Sequence, residues 1–242
     1  MPDAGRAFRV GLVGCGHIAS SHLEGWKRAP GSAVSGVFDL DSSLARNLAG
    51  KFGIATVYQS LDELIGDCDV VDICTPPQSH ASILHQVIDA GRLPVVEKPA
   101  VIDLADWDSL ARKLESNRLD LAVVHHLKFT RSLEKCKRWI DEGRIGDLLR
   151  IDWHFLTSPE ADRMLVDRTH WSRDLPGGRW FETLPHNLYG IHHLCGAMEL
   201  SSVTARRTGQ SEPGASADEV VVVLQREGTL ATLHFSANCR LN

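Results

Sequence analysis

Short apolar runs alternate with helix-like segments along the first half of the chain. The runs at residues 8–13, 70–74 and 94–97 are almost entirely apolar, which is typical of strands covered on both faces of a parallel sheet. Each run precedes a helix-like segment, and Asp41 can cap one such helix by accepting hydrogen bonds from first-turn N–H groups. The pattern predicts a doubly wound α/β domain over residues 1–125. Further strands are predicted at 33–38, near Val57 and at 121–124, and helices at 17–28, 41–51, 61–65, 78–90 and 104–116.

The second half of the chain has a different pattern. Residues 148–155 alternate between apolar and polar positions as a half-buried strand does, and Glu227-Gly228 is a hairpin signal between two later strands. Residues 126–242 are therefore predicted to form an α+β domain with a largely antiparallel open sheet. Its predicted helices are 133–142 and 181–195, its strands are 148–155, 201–208, 220–226 and 230–236, and its most loop-like stretch is 209–217.

Composition excludes several classes of protein. Of the 242 residues, 43% are hydrophobic and 24% charged, and the net charge of −5 leaves no basic excess to neutralise a nucleic acid. No run approaches the ~18 apolar residues that a membrane span needs, and the first residues contain no apolar signal core. The six cysteines include no CxxC pair, which favours a reducing compartment. We expect a cytoplasmic protein that acts on small molecules.

A glycine-rich turn lies where the first predicted strand meets the first helix. The sequence GCGHIA at residues 14–19 has the form GxGxxA, in which the glycines allow a tight turn and the close approach of a pyrophosphate. The helix N-terminus then offers N–H groups to the phosphates. Asp39 ends the next strand, where a carboxylate accepts from the adenosine ribose and repels a 2′-phosphate. The segment predicts a Rossmann domain that binds NAD in preference to NADP, with Gly14, Gly16, His17, Ile18 and Asp39 as candidate cofactor-binding residues.

Two further strand ends carry candidate residues. A rigid Thr-Pro-Pro turn follows the run at 70–74, and Lys98, held by Pro99, follows the run at 94–97. Ligands of open α/β sheets bind at this edge. A lysine there can hold a substrate oxygen or the nicotinamide ribose. The candidate cofactor-binding residues of these segments are Thr75, Pro76, Pro77, His80, Glu97 and Lys98.

The motifs GxGxxA, CTPPxxH and EKP, in this order, resemble the Gfo/Idh/MocA family of NAD(P)-dependent oxidoreductases. The resemblance extends into the second half, so that it covers essentially the whole chain. Lys128-Phe129 is similar to the family's RF pair, residues 142–146 are similar to its G-x-IG signature, and Gly177-Gly178 with Glu182 and His186 is similar to its GG…DxxxH segment.

The resemblance implies an enzyme that transfers a hydride between NAD(H) and a hydroxyl or ketone of a sugar, nucleotide sugar or cyclitol. It implies that Lys98 stabilises an alkoxide, that Glu182 orients a hydroxyl or the histidine, and that His186 is the acid–base residue. Glu182 and His186 are four residues apart and would share one helix face. An imidazole can take or return the hydroxyl proton near neutral pH. Candidate substrate contacts are His126, Lys128 and Trp171.

The chain departs from the family pattern at several positions. Glu182 stands where the family usually has Asp, Pro185 replaces a small residue, Tyr189 replaces an Asp, and Lys128 replaces an Arg. These changes leave the substrate open, and two other functions stay open with it. One is an NAD-dependent glycosidase with no net redox change. The other is a non-catalytic protein that senses a dinucleotide.

Other aromatic and histidine residues allow several interpretations. His186 and His193 are seven residues apart and no histidine pair has HxxxH spacing with carboxylate support, so no metal is expected. Trp153, Trp171 and Trp180 could wall a sugar site or pack in a core or an interface.

Two further expectations concern the extent of the second sheet and the assembly of the protein. Family members usually continue beyond the last predicted strand, so the second sheet is predicted to be truncated, by omission of a tail or in a shortened member. Alternation along 220–224 is weak and both sheet faces call for burial, so a homo-oligomer is expected.

Overall fold

The computed structural model describes residues 6–158, 170–208 and 217–239. The chain divides into two compact units, Met1–Val124 and His125–Asn242. The loop predicted at 209–217 lies outside the described residues except for its last position. Within the described ranges, no helix is both long enough and apolar enough to cross a membrane.

The first unit is built on a five-stranded parallel sheet. Its strands are β1 (Phe8–Val13), β2 (Ser32–Phe38), β3 (Val70–Ile73), β4 (Leu93–Val96) and β5 (Ala122–Val123), and its helices are α1 (Ala19–Arg28), α2 (Ser42–Phe52), α3 (Leu61–Asp67), α4 (His80–Asp89) and α5 (Leu104–Asn117). The strand order is β2-β1-β3-β4-β5, and every adjacent pair is parallel. Two separate clusters of buried apolar side chains surround the sheet, one with residues of α3, α4 and α5 and one with residues of α1 and α2. The predicted doubly wound fold is confirmed.

The strand predicted near Val57 is reduced to a single bridge with Val37. The next residues cap α3 instead of continuing the extended run. Ser60 Oγ accepts from the Glu63 N–H at 3.1 Å, and Glu63 Oε2 accepts from the Gln59 N–H at 2.9 Å. This reciprocal pair satisfies one N–H of the first helical turn and the N–H that precedes the N-cap, so the chain turns into the helix here. The predicted cap of α2 is confirmed, since the Asp41 side chain accepts from the backbone N–H of Ser43.

The second unit carries a four-stranded mixed sheet. Its described residues form the strands β6 (Arg150–Leu156), β7 (Glu199–Arg206), β8 (Glu219–Arg226) and β9 (Thr229–Ser236) and the α-helices α6 (Arg131–Asp141) and α7 (Arg179–Cys195). The order is β6-β9-β8-β7. The pairs β7–β8 and β8–β9 are antiparallel, whereas β6 pairs with β9 in parallel. Alternation along residues 148–155 predicted the strand correctly, but a period of two carries no information about strand direction.

One face of this sheet is covered and the other is exposed. Trp180 and Ile191 of α7 pack with Val222, Leu233 and Phe235 on the covered face. On the other face Val221 and Leu230 keep more than a third of their surface exposed. Leu200 and Val203 of the edge strand β7 pair with Leu224 and Val222 of the covered face, and both are more than half exposed.

Candidate active site

The turn after β1 requires glycine at its first position. Gly14 has a φ of +90°, and a Cβ there would lie 2.8 Å from the carbonyl carbon of Cys74 and from the backbone N of Thr75. Any other residue would be strained and would clash. Gly16 is exposed, and a Cβ there would meet no atom within 4 Å. Packing does not demand glycine at residue 16, so the open space fits the close approach of a pyrophosphate to the backbone.

Helix α1 begins directly after this turn, two residues later than predicted. His17 and Ile18 are exposed, and the Ile18 side chain at the N-cap has no acceptor for the first-turn N–H groups. Ala19, the first helical residue, is fully buried against the sheet. A helix N-terminus without a side-chain cap, next to a glycine turn, is suited to bind a phosphate.

Asp39 joins the end of β2 to the glycine turn. One carboxylate oxygen accepts from the Cys15 N–H at 2.7 Å and the other from the Asp41 N–H at 2.8 Å. Asp39 also lines a cleft of about 260 Å³ together with Ser42, Arg46 and other residues. The sequence interpretation missed Arg46. Arg46 could have been identified from its position five residues after the predicted cap Asp41, which places its positive charge on the first turns of α2 beside the cleft.

The buried side chain of His80 contacts the turn after β3. This side chain is completely buried, and its two ring nitrogens each lie 2.8 Å from a carbonyl oxygen, of Thr75 and of Pro99. Burial has the largest effect on His80 and lowers its pKa, although the two carbonyl partners favour the charged ring. His80 therefore ties two loops together, whereas Thr75 and Pro76 keep exposed surface and Pro77 is buried.

A network of hydrogen bonds fixes the residues that follow β4. Glu97 is 8% exposed and Lys98 is 7% exposed. One oxygen of Glu97 accepts from the Lys98 N–H at 3.0 Å, and the other contacts His22 Nε2 at 2.9 Å. His22 Nδ1 lies 2.9 Å from Asp72 Oδ2, which also accepts from Trp26 Nε1 at 2.7 Å. His22 thus bridges carboxylates of two neighbouring strands.

The charge on His22 is set by these carboxylates. Burial disfavours the charged ring, but hydrogen bonds to Asp72, Cys74 and Glu97 outweigh burial and raise the pKa of His22 to about 12. Burial is the largest single effect on Glu97 and raises its pKa, but the contacts with His22 and Lys98 together outweigh it, so the pKa of Glu97 is lowered. Donor atoms of His22, Asp72 and Cys74 lie within 4.8 Å of one another, a spacing that a metal ion could bridge. Hydrogen bonds link the same side chains, from His22 Nδ1 to Asp72 Oδ2 at 2.9 Å and from Cys74 Sγ to Asp72 Oδ1 at 3.8 Å.

No motif identified His22 or Asp72 beforehand. The available signal was an aspartate inside the otherwise apolar run at 70–74, because a buried carboxylate needs a partner.

Helix α7 carries the acid–base candidates of the second unit. It begins after Gly177 and Gly178, whose φ values are +77° and +61°. Glu182 and His186 are half-buried and four residues apart on this helix. The Glu182 carboxylate accepts from the hydroxyl of the next residue at 3.3 Å. The structure also brings His126 to His186, edge to face, with 5.0 Å between ring centroids.

The tryptophans have different surroundings. Trp153 packs over Gly190, where a Cβ would lie 2.7 Å from the ring, and Trp180 is buried against Phe235. Core packing therefore explains these two. Trp171 is half-buried beside His170, with 4.9 Å between ring centroids, and its role as a substrate contact stays a prediction. The same holds for Lys128, which is half-buried.

Comparisons with known proteins match both units. A family model described as an oxidoreductase family with an NAD-binding Rossmann fold matches residues 8–125, and the model of the GFO/IDH/MocA C-terminal domain matches residues 133–242. The fold and the glycine turn define a dinucleotide-binding oxidoreductase domain joined to a second domain. The chain belongs to the Gfo/Idh/MocA oxidoreductase family.

Individual relatives are distant. The chain is 26% identical to myo-inositol 2-dehydrogenase of Thermotoga maritima, over 66% of this chain and 49% of that protein. It is 31% identical to dTDP-3,4-didehydro-2,6-dideoxy-alpha-D-glucose 3-reductase of Streptomyces violaceoruber, over 72% of this chain and 50% of that protein. The structure of GenD2 from gentamicin A biosynthesis, in complex with NAD, matches with a TM-score of 0.83 at 25% identity, over 98% of this chain and 68% of that one. The matches span about half the length of the two curated relatives.

Proposed function

We propose that this chain is the core of an NAD-dependent oxidoreductase that transfers a hydride between NAD(H) and a hydroxyl or ketone carbon of a sugar, nucleotide sugar or cyclitol. The observation that carries the proposal is the turn after β1. Gly14 is required by packing while Gly16 is not, so the open position at residue 16 serves a ligand. Relatives named for inositol and for a dTDP-sugar support the substrate class.

In this proposal three side chains act on the reacting carbinol. NAD would supply the hydride acceptor or donor. His186 takes the hydroxyl proton during oxidation and returns it during reduction. The Lys98 ammonium stabilises negative charge that develops on the substrate oxygen. Glu182 accepts a hydrogen bond from a substrate hydroxyl and so orients it.

The test requires an active substrate, found by screening polyols and nucleotide sugars for NADH absorbance. Lys98→Met keeps the aliphatic stem and removes the charge, whereas His186→Asn keeps a hydrogen-bonding group and removes the titrating base. Each is expected to lower turnover by roughly 10²–10⁴ and to change NAD affinity little, because the glycine turn and Asp39 are untouched. Near-parental turnover in both variants would refute the assignment. Glycoside cleavage that needs NAD but gives no net NADH would favour the glycosidase alternative instead.

A further inference from the structure

Tyr189 lies between the candidate acid–base residue and a backbone segment of the same unit. Helix α7 places it three residues after His186, and its hydroxyl oxygen is 2.8 Å from His186 Nδ1. The Leu127 N–H donates to the same oxygen at 3.2 Å, and the His125 ring stacks on the phenol with 4.2 Å between centroids. Tyr189 is only 6% exposed. The hydroxyl is therefore held in place from several sides.

A phenol and a carboxylate would act on this imidazole in different ways. A carboxylate only accepts, so it would keep Nδ1 protonated and would stabilise the imidazolium by its charge. The Tyr189 oxygen can accept from Nδ1–H in the neutral ring, whose lone pair is then on Nε2, and in the imidazolium. It therefore holds the ring in both protonation states without adding a charge.

We propose that Tyr189 is a positioning residue that holds His186 by Nδ1, so that Nε2 is the nitrogen that exchanges a proton with the substrate hydroxyl. The inference rests on the proposed function, in which His186 is the acid and the base. During oxidation the C–H electron pair leaves as hydride to NAD⁺, the O–H proton moves to His186 Nε2, and a C=O bond forms. The resulting imidazolium donates through Nδ1 to the Tyr189 oxygen. During reduction the proton returns from Nε2 to the substrate oxygen.

Other titratable groups face this pair. His126 lies edge-on to His186, His125 stacks on Tyr189, and Lys128 belongs to the same short 3-10 helix as Leu127. Glu182 precedes His186 by one helical turn. A test of Tyr189 has to separate its effect from the titration of these groups, above all from that of His126.

Histidine NMR of the protein without NAD gives a direct test. Tyr189→Phe removes the hydroxyl and keeps the ring that stacks on His125. The hydrogen bond to the charged imidazolium is stronger than the bond to the neutral ring, so its loss is expected to lower the pKa of His186 by roughly half a unit to one unit. The shift should persist in a His126→Gln background. An unchanged pKa of His186 in Tyr189→Phe would overturn the inference.

The second tyrosine of the chain provides a matched control. Tyr58→Phe removes a hydroxyl that donates to Asp67 at 2.5 Å in the first unit, and it should leave the pKa of His186 unchanged. If Tyr189→Phe does not fold, 3-fluorotyrosine incorporated in the Tyr58→Phe background labels residue 189 alone, because the chain has two tyrosines. The more acidic phenol is a weaker acceptor, so the pKa of His186 should again fall. No shift in that protein would overturn the inference in the same way.

Kinetics with an active substrate distinguish this inference from the proposed function. Tyr189→Phe is expected to lower kcat by about tenfold, leave the KM for NAD unchanged, and move the pH–rate limb with the pKa measured by NMR. Normal turnover of His186→Asn would refute the acid–base role of His186 in the proposed function. Loss of turnover in His186→Asn, with kcat and the limb unchanged in Tyr189→Phe, would refute the inference alone.

Discussion

His22→Gln should destabilise the first unit more than any exposed histidine substitution does. The His22 side chain is 9% exposed and bridges Asp72 and Glu97, which are themselves buried. Removing one partner from a buried ion pair leaves an uncompensated charge and costs about 3–5 kcal/mol. Chemical denaturation at pH 7 should show a loss of this size for His22→Gln, whereas His17→Gln, on the exposed turn, should change stability by less than about 0.5 kcal/mol.

The sign of the pH dependence follows from the raised pKa of His22, about 12. Unfolded histidine has a pKa near 6.5, so the stabilisation is fully present below about pH 6.5 and is lost as the pH rises toward 12, by up to about 1.4 kcal/mol per pH unit. Histidine NMR should show one ring, absent from His22→Gln, that stays doubly protonated from pH 5 to about pH 9. A His22 signal that titrates near pH 6.5, or a loss of stability below about 1 kcal/mol in His22→Gln, would refute the reasoning.

Three further predictions concern the cofactor and the assembly. NAD should raise the Tm of the parent protein more than NADP does, and equal stabilisation by both cofactors would contradict the role of Asp39. Asp39→Ser should gain NADP binding through Arg46, whereas the double variant Asp39→Ser/Arg46→Ala should not. Gly16→Val should fold normally, since a Cβ there meets no atom, and should lose NAD affinity; normal binding by calorimetry would show that the turn holds no pyrophosphate. Val221 and Leu230 on the open sheet face should be buried in a homo-oligomer, so light scattering should give more than one chain per particle. Val221→Lys should reduce that number, and a monomeric parent would exclude the assembly.

The elements of the first unit were predictable because each depends on its own residues. An apolar run between polar segments identifies a buried strand, and Asp41 identifies a helix start, whichever other elements are nearby. Contacts between distant residues had no such signal. His22 and Glu97 are 75 residues apart, and only the parallel order of β1, β3 and β4 brings them together.

The site of the second unit was predictable in part for the same reason. The spacing of Glu182 and His186 indicated a shared helix face. The partner of His186 was not predictable, since Tyr189 was visible only as a departure from the family pattern, and its bond to the backbone of Leu127 spans 62 residues. The roles of the tryptophans were not predictable either, because the sequence around Trp153 does not distinguish a residue of the core from one that lines a ligand site.

The parallel pairing of β6 with β9 has a consequence for synthesis of the protein. Asp152 pairs with Thr232, 80 residues further along the chain. At roughly 5–20 residues per second, a ribosome needs about 4–16 seconds to make that intervening stretch. During this time β6, with Ile151, Trp153 and Phe155 on its apolar side, has been made and its strand partner has not. The nascent chain therefore exposes an aggregation-prone strand for seconds, and a chaperone that shields alternating apolar segments would be needed most in this interval.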